Sequence, residues 1–337
     1  MGKNKCILLN IILIAAPIIC ILLAFFIGRY PIYPLTVIKV LLYKMGLISA
    51  NGLSYQDITV VWQLRFPRAI IGAVVGASLA VSGAAFQGVF RNPLVNSGIL
   101  GVSNGAGFGA ALAILLYSSL TYTYVFAFIF GTIAVFLSYM IGRIYKTTPT
   151  VMLILGGVIV SSFFSALTSI VKYVADPFNP LPSIVFWLIG SLASVGHQQF
   201  FALIPMAMGI IIIFLGRWRI NVLSMGDKEA MALGVNVARN KSMIIIGATI
   251  ATAGAVCVSG VIGWVGLVIP HIGRMLVGND NRKLIPVSIS LGACFMVIID
   301  IIARMLTGSE IPLGILTSLI GAPFFVYLLK KTKGGGW

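Results

Sequence analysis

QFFALIPMAMGIIIIFLG (199–216), RWRINVLSMGDKEAMALGVNVARNK (217–241) and SMIIIGATIATAGAVCVSGV (242–261) follow one another without a break, and the contrast between them decides the fold. The outer two are apolar and about 20 residues long, enough for a helix to cross roughly 30 Å of hydrocarbon. The middle stretch is polar and charged. Within it, Ser224 precedes Asp227 at capping-box spacing, which predicts a helix start, and Gly234 after Leu233 predicts a helix stop. The resulting helix, Met225–Leu233, has about two turns, fewer than the ~12–15 residues an isolated helix needs in water. It therefore needs something to dock against.

Working outward, the same apolar pattern fills the chain. Hydrophobic residues make up 59% of 337, charged residues 9%, and only 7 are acidic; mean hydropathy is +1.08. Soluble domains carry about 25% charged residues, so the class is an all-α polytopic membrane protein. Apolar blocks lie at 7–27, 68–89, 98–117, 124–142, 150–172, 199–216, 242–261, 262–278, 284–303 and 312–329. The seventh and eighth run together around Ser259–Gly263, so the count is ten or nine. A shorter piece, Ile184–Leu192, reads as a partial or re-entrant helix. We treat 1–337 as a single transmembrane domain with a polar loop at 217–241.

With ten spans and a cytoplasmic N-terminus, sixteen of the 23 Lys and Arg fall inside and seven outside, as the positive-inside rule requires. Both termini and the loop 217–241 are then cytoplasmic. The net charge of +16 reads as a topology signal, not as a nucleic-acid footprint. The first block could be a cleaved signal peptide, but its length and the lack of a small-x-small cleavage site favour a retained span. Cys6, Cys20, Cys257 and Cys294 lie in or beside apolar segments, at spacings that suit neither a disulfide framework nor zinc.

The motifs of membrane enzymes are missing: no HExxH, no GxSxG and no P-loop. No catalytic residue or metal ligand is assigned, and His197 and His271 have no acidic cluster near them. Gly101, Gly105 and Gly109, like Gly72 and Gly76, have the small-xxx-small spacing of closely packed membrane helices.

RFPRAIIGAVVGASLAVSGAAFQGVFRNPLVNSGILGVSNGAG (65–107), LILGG (153–157), GVIGWVGLVIPHIGRML (260–276), IPVSISLGA (285–293), DIIAR (300–304) and IPLGILTSLIGAPFFVYLL (311–329) come in one order along the chain. That order and wording resemble the cobalamin and iron-siderophore permease family, the membrane subunits of type II ABC importers. Ser97 stands where that family usually has Pro. The resemblance implies ten helices, a homodimer with an axial pathway, two copies of a separate ATPase below and a substrate-binding protein above.

The resemblance also distributes roles. The loop helix would couple to the ATPase through Ser224, Met225, Asp227, Glu229, Leu233, Gly234 and Val235. Arg65, Arg68 and Arg304 would meet glutamates of the binding protein, a task suited to the guanidinium fork, with Asp300 orienting Arg304 from one turn away; the residue reading alone leaves headgroup anchoring as an equal alternative. The gate would lie at Thr147, Thr150 and Val151, and the route along Ser161, Ser162, Ser165, Thr168 and Thr317. Helical hydroxyls also bond their own backbone, so not every one of these faces a lumen. ATP would be bound by the partner; this chain would hold no cofactor and perform no covalent chemistry. The cargo would be a metal chelate, a ferric siderophore by family frequency, with haem, cobalamin or a metal oxyanion as the other members. The competing class is an ion-coupled carrier or channel without an ATPase. Such carriers place ionisable groups at mid-membrane, and here only Asp300 approaches a span interior.

Overall fold

A computed structural model describes residues 3–143 and 150–331. Among them every regular element is helical. In chain order these are α1 (Lys3–Phe26), α2 (Pro34–Lys44) and α3 (Tyr55–Ile58), which runs through a π-helical stretch, Thr59–Arg65, into α4 (Phe66–Phe90). Next come α5 (Val102–Tyr117), α6 (Leu120–Gly142), α7 (Thr150–Val174) and α8 (Pro180–Ile189). A 3-10 turn, His197–Ala202, leads into α9 (Leu203–Met225), followed by α10 (Asp227–Ala232), α11 (Val237–Ser259), α12 (Val265–Val277), α13 (Asn281–Met305) and α14 (Leu313–Lys331).

Each of the ten apolar blocks holds a helix. Among the described residues six are long and apolar enough to cross a membrane, and five shorter apolar helices accompany them. The seventh and eighth blocks are two helices: α11 stops at Ser259 and Gly260 turns the chain at φ 67°. The short apolar piece is α8, which starts earlier than Ile184 because Pro180 takes its first turn, where a missing N–H costs nothing. The helices over 34–44 and 55–65 were not anticipated.

α4 is the hub, packed among α9, α11, α12 and α13 and buried along nearly its whole length. Lipid tails are as apolar as leucine, so close backbone approach rather than water exclusion holds such helices together. The residues of α4 suit this. A side chain at Gly76 would lie 2.1 Å from the carbonyl oxygen of Gly292 in α13, and one at Gly83 would lie 1.9 Å from that of Gly266 in α12. Gly105 and Gly109 play the same part between α5 and α6, against Phe130 and Phe126. Ser97, in place of proline, is buried with its hydroxyl against Gly266. Ala24 and Phe25 of α1 are buried in a cluster with α4 and α13.

Candidate functional site

The three arginines lie at one end of the bundle, where the π-helical stretch enters α4 and α13 ends. They are not the exposed forks that the docking assignment calls for: Arg65 is 3% exposed, Arg68 7% and Arg304 8%. Arg65 donates to the carbonyl oxygens of Phe25 (2.8 Å) and Phe26 (3.3 Å) and to that of Tyr30, closing the last turn of α1. Arg68 grips Asp300 through Nη2 (2.7 Å) and Nε (2.8 Å), and its Nη1 reaches Glu310 at 2.9 Å. Arg304 reaches Asp300 at 3.2 Å, so Asp300 does orient Arg304, but Arg68 holds it more closely. A carboxylate at membrane depth is costly unless paired, and these two arginines supply the pairing. Two guanidinium groups meet two carboxylates, and Arg65 beside them, tied only to carbonyl oxygens, brings this end to one unit of positive charge.

At the other end the polar loop differs from its expected form. α9 runs on through Arg217 and Arg219 to Met225, and Ser224 is still inside it, its hydroxyl donating to the carbonyl of Asn221 at 2.7 Å. Ser224 therefore caps nothing. The chain breaks at Gly226, whose φ 137° and ψ 157° belong to a region essentially restricted to glycine. α10 is then six residues, Asp227–Ala232. Its stop is as expected: Gly234 has φ 74° and donates to Met231, while Val235 donates to Ala230, the paired bonds of a Schellman motif.

Asp227 is not a free surface acid. It accepts a hydrogen bond from Lys241 Nζ at 2.7 Å, and Lys241 is 1% exposed, so the pair ties α10 to α11. Outward, α10 and its two flanks show Lys228 and Glu229 with the apolar side chains of Met231, of Met225 at the end of α9 and of Leu233. Nearby, Asn221 of α9 donates to Asp280 at 2.6 Å and accepts from the backbone N–H of Asn281 at 2.7 Å, fixing the end of α9 to the α12–α13 turn. Burial pushes the Asp280 carboxyl upward, but hydrogen bonds from Asn221 and Arg282 outweigh it and hold it below its ordinary value.

Of the pathway residues, Thr147 lies outside the described residues. Thr150 opens α7 with its hydroxyl buried and unpartnered, and Val151 beside it is 74% exposed. α7 has two faces. Thr168 is buried on the inner one, and its hydroxyl bonds the carbonyl of Phe164. Ser162 and Ser165 are exposed on the other, in line with Ser169. Ser161 sits between, its carbonyl accepting from Asn104 of α5 at 3.3 Å. Thr317 is fully buried and bonds Gly314 within α14. The nominated hydroxyls thus separate, leaving Ser162 and Ser165 open.

The family model described as the FecCD transport family matches residues 14–331. The chain belongs to the FecCD transport family. Among its relatives is the molybdate import system permease protein MolB of Haemophilus influenzae, 42% identical over 315 residues, covering 92% of this chain and 91% of that protein. The cobalamin import system permease protein BtuC of Halobacterium salinarum is 42% identical over 276 residues, covering 81% of this chain and 74% of that one. A solved inward-facing structure of a metal-chelate type ABC transporter superposes with a TM-score of 0.82 at 39% identity, covering 95% of this chain and 97% of that one. This FecCD protein is a multi-pass transport permease of an ABC importer in the cell membrane.

Sequence reasoning missed three residues of the FecCD permease's two ends. Glu310 read as a loop acid and is the second partner of Arg68. Lys241 read as a topology charge and is buried. Gly226 was passed over in favour of Ser224, although a glycine directly before Asp227-Lys228-Glu229 is itself a start signal, since acids favour a helix's first turn.

Proposed function

We propose that this FecCD permease imports a metal chelate or metal oxyanion by alternating access, driven by two copies of a separate ATPase and fed by a substrate-binding protein. It acts as a homodimer and carries out no covalent chemistry itself. ATP is bound by the partner, and this chain needs no cofactor. The carrying observation is α10, a six-residue helix that with its flanking residues presents Met225, Met231, Leu233 and Glu229 to the cytoplasmic side. An apolar patch with one acid, outside the membrane on a helix too short to persist alone, is a docking element.

The route of the motion follows the contacts. α10 is joined to α9 through Gly226 and to α11 through Asp227–Lys241, and both helices pack on α4. α4 carries Arg68 at its far end, clasped to α13 through Asp300. A shift of α10 therefore reaches the arginine cluster through three packed helices. There, acidic lobes of a binding protein compete with Asp300 and Glu310 for Arg68 and Arg304, drawn by the charge of Arg65, which no carboxylate balances. The exposed Ser162 and Ser165 line the axial route. The ten-span count with both termini inside belongs to this reading, as does the cargo class, which the molybdate and cobalamin permeases among the relatives support. An ion-coupled carrier is disfavoured because Asp300, its best candidate, is consumed by two arginines.

The test is co-purification from native membranes of the tagged chain against Met231→Glu/Leu233→Glu. A stoichiometric P-loop ATPase with the wild type and its loss from the variant is the expected result. A chain that purifies alone and moves solute in liposomes without ATP sinks the reading.

A further inference from the structure

A cavity lies at the cytoplasmic end, away from the α7 face and from the outward side of α10. It has a volume of about 520 Å³ and forms where the C-terminal ends of α4 and α9 meet the second half of α12 and the start of α13. Arg91, Arg274 and His271 line it, together with the amides of Gln87, Asn92 and Asn281. Among the described residues no carboxylate lines it. Of the acids nearby, Asp280 takes hydrogen bonds from Asn221 and Arg282, and Glu229 folds over Gly226 on the side of Arg91 without entering the lining.

Two of the lining groups are incomplete. Nη1 of Arg274 is buried without a hydrogen-bond partner. Arg274 stands in the last turn of α12, where the helix dipole alone favours a cation, but that role would leave Nη1 on a carbonyl. Gln87 is buried and donates through Nε2 to Val95 at 2.9 Å and Gly266 at 3.2 Å, while its Oε1 has no donor. Arg91 holds a left-handed conformation at φ 52°, a position at a helix end that glycine or asparagine takes more readily. A fork donor lacking an acceptor, a second cation in the lining and no carboxylate among the lining residues together describe a receptor for an anion.

We propose that this cavity binds a phosphate group carrying net negative charge. Arg274 and Arg91 take its oxygens, and Gln87 Oε1 accepts a hydroxyl of the esterified headgroup or a water. Guanidinium forks match phosphate oxygens bidentately, and basic pockets between helices at the cytoplasmic face suit anionic lipid headgroups. The phosphate comes either from an anionic phospholipid or from solution. The proposal goes beyond ATPase coupling and is tested on the permease alone, so the failure of either leaves the other standing.

The experiment titrates the purified full chain in phosphatidylcholine micelles with phosphatidylglycerol, counting bound lipid by native mass spectrometry. A parallel arm follows the unfolding temperature with inorganic phosphate against chloride at equal ionic strength. We expect retained phosphatidylglycerol and an affinity about tenfold weaker in Arg91→Gln/Arg274→Gln. Arg274→Lys retains most of the binding, which shows that the site still folds, and Arg219→Gln, an exposed arginine outside the cavity, is unchanged. A response to inorganic phosphate with no lipid preference upholds the site and assigns it to free phosphate. No preference for phosphatidylglycerol and no phosphate response overturns the proposal, as does a double variant that binds like the wild type. Loss of the ATPase from Arg274→Gln without any phosphate binding also overturns it, because the anion would then be a partner's carboxylate.

Discussion

The two ends of this permease use ionic pairs in opposite ways. At the end where α4 begins, Arg68, Arg304 and Asp300 are all at least nine-tenths buried and bind one another. At the α10 end a single buried lysine, Lys241, reaches out to an aspartate whose side chain is 36% exposed. The first arrangement locks α4 to α13. The second tethers a six-residue helix that is otherwise free to present its surface. Burial on both sides makes a clamp, and burial on one side makes a leash.

The comparison breaks most visibly at Asp300. Asp300→Ala leaves Arg68 and Arg304 buried with only Glu310 between them, and removing one partner of a buried ionic cluster costs about 3–5 kcal/mol. We expect a large fall in unfolding free energy in mixed micelles, or failure to accumulate in the membrane. A loss below about 1 kcal/mol would show that the clamp is solvated and that the arginines are available to an outside partner without exchange.

Gly226→Ala comes next. Its backbone angles cost a residue with a side chain roughly 1–3 kcal/mol, and the new methyl group would lie 2.0 Å from Glu229 Oε2. That carboxylate ends a flexible side chain and can swing away, so the backbone term dominates. α9 and α10 should lose their sharp break, and ATPase stimulation should fall further than stability does. Equal losses in both would mean that Gly226 serves folding only.

The helical class and every apolar block were legible in the sequence, because spans are recorded in long runs that need no partner to be recognised. The break at Gly226 was legible too, but Ser224 offered a competing capping signal, and local spacing cannot say that α9 continues through Arg217 and Arg219. The pairing at the two ends was out of reach for a different reason. Arg68 and Asp300 are 232 residues apart, and nothing in the type of a residue tells a headgroup anchor from a clamp. Likewise, Ser162 and Thr168 are indistinguishable as helical hydroxyls until neighbours decide which face of α7 is covered.

Asp227→Asn sharpens the contrast with Asp300. Lys241 loses its charge partner, but the amide oxygen still accepts a hydrogen bond and the partner side is partly in water, so we expect roughly 1 kcal/mol. Glu229→Lys, which breaks no ion pair within 4.0 Å among the described residues, should leave stability unchanged and reduce ATPase capture. If the two variants exchanged these effects, the tether would be misassigned.

The smallest effect concerns acid. Asp280 has its carboxyl held below its ordinary value of 3.8 by Asn221 and Arg282, against the upward push of burial. A carboxyl depressed in the folded state adds stability above the unfolded value, and that stability is lost as pH falls through the folded one. Asp280→Asn keeps a capping oxygen at the start of α13 but cannot titrate. The wild type should therefore be slightly more stable than the variant near neutral pH, and the gap should close below about pH 4. Melting temperatures of the pair measured between pH 7 and pH 3 decide this. A gap that stays constant with pH would mean that Asp280 works through neutral hydrogen bonding. Lys241–Asp227 would then be the ionic tie on which the α10 end relies, beside the neutral hydrogen bonds of Asn221.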